Sequence, residues 1–136
     1  MHLTIIKNPD ESKIVMYKIA RLVYAETFGS SLAAVEALTS MISNLCITSK
    51  REFSDIAQDN NIFESLNKNS KRNKYLSIDS GNRNFKMCIR VVQRMFNGNL
   101  PDSCFGATKF HHIEVLPDWA RSRGYIAEID GLLFYL

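Results

Sequence analysis

Residues 22–31 read LVYAETFGSS, a greasy helical stretch that closes on one carboxylate, Glu26, just before a glycine. Upstream, Ile14, Val15, Tyr17, Ile19, Leu22 and Val23 recur at broadly helical spacing. Asn8-Pro9-Asp10-Glu11 reads as the start of that helix, with Asn8 as cap, Pro9 in the first turn and the acids at the positive end of the dipole. Gly29 suits the left-handed turn that stops a helix. Ser30 or Ser31 then caps a second helix, whose expected buried stripe is Leu32, Val35, Leu38, Ile42 and Leu45. Glu26 is thus expected at a helix–helix junction, near the positively polarised start of the second helix.

Residues 50–80 are polar and rich in Asn and Lys, with isolated anchors Phe53, Ile56, Phe63 and Leu66. The pattern predicts a short helix near 51–57 and then a long surface loop, of a length that is usually functional or mobile. A further helix is predicted from Ser80–Asn82, carrying Phe85, Cys88, Ile89, Val92, Met95 and Phe96, and ending at Gly98 before Pro101. Beyond that point the texture changes. GATKFHHIEV, residues 106–115, mixes β-branched and aromatic residues like a strand. YIAEIDGLLFYL, residues 125–136, has two apolar runs around Asp130-Gly131, a two-residue hairpin signal. Helices first and a small antiparallel sheet last make an α+β domain.

The 136 residues fit one domain, 1–136, long enough to bury a core without staples. Three cysteines, Cys46, Cys88 and Cys104, cannot pair completely and lack CxxC spacing, so free buried thiols are expected. The net charge of +3 suits an anionic partner, cell wall or nucleic acid, but a few surface lysines give the same value. No apolar run is expected to span a membrane. The N-terminal MHLTIIKNPDESK has too short an apolar patch for a secretory signal. Lys68, Lys71, Arg72 and Lys74 read most simply as a solvated loop face, and the basic residues form no helical stripe interleaved with aromatics, so nucleic acid is not the expected partner.

Several segments, in order, resemble the SleB-type cell-wall hydrolases, the spore-cortex-lytic enzymes. ARLVYAETFGSS is similar to that family's A-x-x-[VI]-Y-G-E-x-R-G-E-P signature, with Tyr24, Glu26 and Gly29 on its tyrosine, glutamate and glycine. Asn44 falls, without a gap, on the asparagine that closes the second helix, and Phe63 on the phenylalanine of Q-F-[ST]. GNLPDSCFGATKFHH resembles D-P-T-x-G-A-T-H-[FY] through Gly106, Ala107, Thr108 and Phe110. LPDWA resembles P-x-W-A, and IDGLLFYL the closing I-G-x-H-x-F-Y; together the matches cover roughly residues 18–135.

The resemblance implies a small lysozyme- or transglycosylase-like α+β domain that cuts the glycan strands of peptidoglycan, bacterial or phage-encoded and acting on the cell wall, with no cofactor. It implies that Glu26 is the catalytic acid/base of a lytic transglycosylase or muramidase. Cleaving a glycosidic bond needs a proton for the departing oxygen, and a carboxylic acid supplies one near neutrality when apolar surroundings desolvate it. Tyr24 and Phe28 flank Glu26 in sequence; the helix start beyond favours the anion instead. Double displacement would need a second carboxylate about 5 Å away. Glu36, Glu64, Asp55 and Asp59 are available, but none falls on a family carboxylate position. A lytic transglycosylase needs none, because the 6-hydroxyl of muramic acid attacks and one glutamate serves as acid and then base.

Each substrate-binding candidate also has a plainer reading. Tyr24 bonds a sugar or packs; Asn44 holds the glutamate or a loop carbonyl, or caps its helix; Phe63 lines the cleft or anchors its loop. Thr108, Phe110 and His111 are candidates to face the glycan, with alternation placing Thr108 and Phe110 on one side and His111 on the other. Trp119 stacks on a sugar or completes the core. His111-His112 is not read as a metal site, because adjacent strand residues point oppositely and no third ligand is near. Departures from the family pattern include Ala25 for a glycine, Phe28 and Leu45 for arginines, Ser30 for an acid, and Leu132 for a histidine. They open the alternative of a catalytically weak or inactive wall-binding module.

Overall fold

The computed structural model describes residues 9–136, with side chains from residue 14 onward. The expected Asn8 cap lies outside the described residues. Helix α1 (Pro9–Thr27) runs to the junction, α2 (Leu32–Ser49) follows, and α3 (Phe53–Ile56) is a single turn. Helix α4 (Arg83–Phe96) precedes three strands, β1 (Lys109–His112), β2 (Ala127–Ile129) and β3 (Leu132–Tyr135). The expected α+β layout of helices followed by an antiparallel sheet is what the chain adopts.

The caps are local and readable. Ser31 accepts from Ala34 N–H at 3.1 Å to start α2, and Asn82 accepts from Phe85 N–H at 3.0 Å to start α4. The sheet order is β1-β3-β2, with β3 antiparallel to both neighbours. Asp130 and Gly131 both hold positive φ, +47° and +83°, as a tight hairpin turn requires.

The core gathers Ile19, Ala20 and Val23 of α1, Val35, Leu38, Met41 and Ile42 of α2, and Phe85, Cys88 and Val92 of α4. Phe134 closes it from the sheet. One expected core position is corrected: Leu32 lies on the outer face of α2 and is exposed, as are Ile14 and Tyr17 of α1. By length and composition α2 is apolar enough to cross a membrane, contrary to the sequence expectation. Half of it is buried in this fold, where α1 and α4 pack on it, and a core helix accounts for that apolarity.

Residues 57–82 are not the expected open loop. Two 3₁₀ turns, Glu64–Leu66 and Asn73–Ser77, pack on α1, and Phe63 and Ser65 are buried there. Cys46, Cys88 and Cys104 are free and buried, as expected. Burial raises all three thiols, Cys88 and Cys104 to about 12, so they stay protonated at neutral pH.

The turn from α1 to α2 passes through two left-handed residues, Phe28 and Gly29 at φ +57° and +61°. Gly29 also lies against α4: a Cβ there would sit 2.7 Å from the Asn84 Cβ and 2.9 Å from the Asn84 carbonyl oxygen. Gly29→Ala combines backbone strain with a backbone clash, and should lower unfolding free energy by about 2 kcal/mol or more in urea titration.

Candidate active site

Three remote segments meet at Glu26. The carboxylate is buried, with Oε1 2.7 Å from His112 Nε2 and Oε2 accepting the Ser65 N–H at 2.8 Å. β1 supplies the imidazole and the 3₁₀ turn after Phe63 the amide. The first-turn amides of α2, Ala34 and Val35, bond Ser31, and the hydrogen bonds to Glu26 come from elsewhere.

Alternation along β1 sorts the two histidines. His111 Nδ1 donates to the His112 carbonyl at 2.8 Å, which fixes the tautomer and leaves Nε2 to accept from the Tyr135 hydroxyl at 2.8 Å. Its ring stacks on Tyr135 and meets Trp119 edge-on. His112 instead faces Phe110 and Glu26. The two imidazoles therefore point apart, as read from the sequence.

Arg72 is the second polar centre, and its reading as solvated loop face is corrected. Its side chain is 15% exposed. Nη1 donates to the carbonyls of Ala25 and Glu26 at 3.3 and 3.1 Å, covering orphan acceptors at the end of α1. The guanidinium pairs with Glu64 at 3.2 Å and Glu114 at 3.6 Å, and lies 4.9 Å from the Phe28 ring centroid. Lys68, Lys71 and Lys74 are exposed, as expected.

Beside Glu26 lies a pocket of about 160 Å³, also lined by Phe28, Arg72, His112, Glu114 and Asp130. Phe28, Glu114 and Asp130 are exposed and form its rim. Glu26 is the sequence-named candidate in its lining. Tyr24 is packed edge-on between Phe85 and Tyr75, at 6.0 and 6.4 Å between centroids. Phe63 is buried beside Phe110, which packs on Phe134, so both aromatics back the site rather than line the pocket. Thr108 is half-buried and its N–H donates to the Tyr135 carbonyl. Trp119 stands on the opposite sheet face, edge-on to Tyr135, with Lys109 over its ring.

Asn44 takes the loop role. Its amide donates to the Ala107 carbonyl at 3.1 Å and reaches Asp102 at 3.4 Å, tying α2 to the loop that feeds β1. The carboxylates weighed as partners for Glu26 are placed elsewhere: Glu36 pairs with Arg94, Asp59 with Arg51 and Glu64 with Arg72. Glu114 and Asp130, not weighed from the sequence as partners for Glu26, line the pocket with it. His112 and Arg72 were also missed. Period-two alternation from Phe110 does point to His112, whereas nothing local marks Arg72 or the Ser65 amide.

No family model, curated protein or solved structure matches this chain.

Glu26→Ala strands two buried donors and should lower stability by about 3 kcal/mol, with Glu26→Gln, which keeps both partners, near 1 kcal/mol in the same denaturation assay. Asp102 gives a pH-dependent counterpart. Burial pushes its carboxyl up, but hydrogen bonds from Cys104, Gly106 and Asn44 outweigh it and hold it below its ordinary 3.8. Its contribution is complete above that value and drains away as pH falls through the lower folded one. Asp102→Asn should therefore flatten the stability profile below about pH 4, read as Tm against pH.

Proposed function

We propose that the chain cleaves peptidoglycan glycan strands, as a lytic transglycosylase on a lysozyme-like scaffold, with Glu26 as acid and then base. The observation that carries this reading is a carboxyl group withdrawn from water beside a pocket that Glu26 helps to line, held by two hydrogen bonds. A buried ionisable group is costly to keep, and a packing role at this junction would be met by an apolar side chain. The resemblance of the Tyr24–Asn44 and GAT segments to SleB-type hydrolases supports the same chemistry.

In the acid half, the proton of Glu26 goes to the glycosidic oxygen as its bond to the anomeric carbon breaks. In the second half, the 6-hydroxyl oxygen of muramic acid bonds that carbon and its proton returns to Glu26, leaving a 1,6-anhydro end. One carboxyl group suffices.

The side chain of Glu26 has no exposed surface, and this favours a second reading, a wall-binding module in which the Glu26–His112 pair is structural. Mass spectrometry of peptidoglycan digests separates the two. The enzyme reading expects soluble anhydro-muropeptides from wild type and a fall of roughly 10²-fold or more in Glu26→Gln. Sedimentation with sacculi and no fragments at any pH supports the binding module, and undiminished release by Glu26→Gln removes Glu26 from the chemistry.

A further inference from the structure

A proton that leaves Glu26 has to pass through a neighbour, because the carboxyl group is sealed from solvent. Two groups touch its oxygens. The Ser65 backbone N–H on Oε2 holds the group but passes no proton on. The His112 ring on Oε1 is different: at 2.7 Å its Nε2 is within proton-transfer distance, and the same ring lines the pocket.

The other ring nitrogen is open. Among the described residues Nδ1 of His112 has no hydrogen-bond partner, and the ring that carries it lines the pocket. The charged and titratable neighbours do not compete for this position. Arg72 is committed to the α1 carbonyls, Glu64 and Glu114, and His111 to Tyr135 on the opposite face. Glu114 and Asp130 line the pocket at its exposed rim.

We propose that His112 carries the proton between buried Glu26 and the sugar oxygens in the pocket. The step rests on the glycan-cleaving reading and specifies how its proton travels. Glu26 and His112 share one proton across this bond: when it sits on Nε2 the ring donates to the carboxylate. At the start of the cycle it sits on Glu26, which donates to Nε2 while Nδ1 bears the ring proton. Nδ1–H passes to the glycosidic oxygen as the bond from that oxygen to the anomeric carbon breaks, and Nε2 takes the proton of Glu26. The 6-hydroxyl oxygen then bonds the anomeric carbon, its proton goes to Nδ1, and Nε2–H returns its proton to Glu26. Carboxyl and ring end as they began, one bond having been exchanged for another within the glycan.

The test compares wild type, His112→Gln and His112→Ala in release of anhydro-muropeptides, each checked for native circular dichroism and melting. Glutamine can still donate to Glu26 Oε1, so that variant keeps the buried hydrogen bond but relays nothing. The relay expects His112→Gln to lose roughly 10²-fold or more in rate, and added imidazole to restore part of the activity of His112→Ala, which a purely structural histidine would not allow. A folded His112→Gln within about threefold of an active wild type overturns the relay and leaves the glycan reading standing. A wild type that releases nothing overturns the glycan reading itself and the relay with it.

Discussion

A carboxylate without exposed surface is tolerable only where donors replace its water, and the arrangement of this chain follows from supplying them to Glu26. An isolated ion in an apolar interior would cost far more than the few kcal/mol by which domains are stable. The two donors lie 39 and 86 positions away along the chain. Neither is in place until the 63–66 turn has packed on α1 and β1 has joined β3. The pair therefore couples the helical part to the sheet, and loosening either partner leaves a buried polar group unpaired.

The same constraint explains how α1 ends. A helix that continued past Thr27 would carry the chain away from α2, so the backbone reverses through Phe28 and Gly29 in the left-handed region. That reversal exposes the last carbonyls of the helix, and Arg72 covers two of them from the second 3₁₀ segment. Asn84, from the first turn of α4, donates to the Phe28 carbonyl at 3.2 Å. The Arg72 segment and α4 thus converge on the junction between α1 and α2, next to Glu26 and the pocket.

The helices, their Ser31 and Asn82 caps and the Asp130-Gly131 hairpin were legible because each rests on neighbours within a few residues. Glu26 was legible as an ionisable residue out of place at the end of an apolar run. What surrounds it was not. Arg72 sits among exposed lysines, and only tertiary packing distinguishes it from them. The Ser65 amide carries no side-chain signature at all. Period-two alternation along β1 puts His112 on the Phe110 face, but only the tertiary fold brings Glu26 of α1 against that face.

On the glycan-cleaving reading, three departures from the SleB-type pattern have spatial counterparts. Phe28 stands where the pattern has an arginine, and the Arg72 guanidinium stacks on the Phe28 ring, returning a cation to that wall of the pocket. Leu132 stands where the pattern has a histidine; it is the cross-strand partner of His112, so an imidazole occupies the neighbouring position on the same sheet face. Ser30 replaces an acid, and the pocket it lines also holds Glu114 and Asp130. On that reading, polar groups absent from one position have the same chemistry entering from an adjacent element, as a site rebuilt around its glutamate would require. An abandoned site has no reason to keep a buried carboxylate, since an apolar replacement removes its desolvation cost.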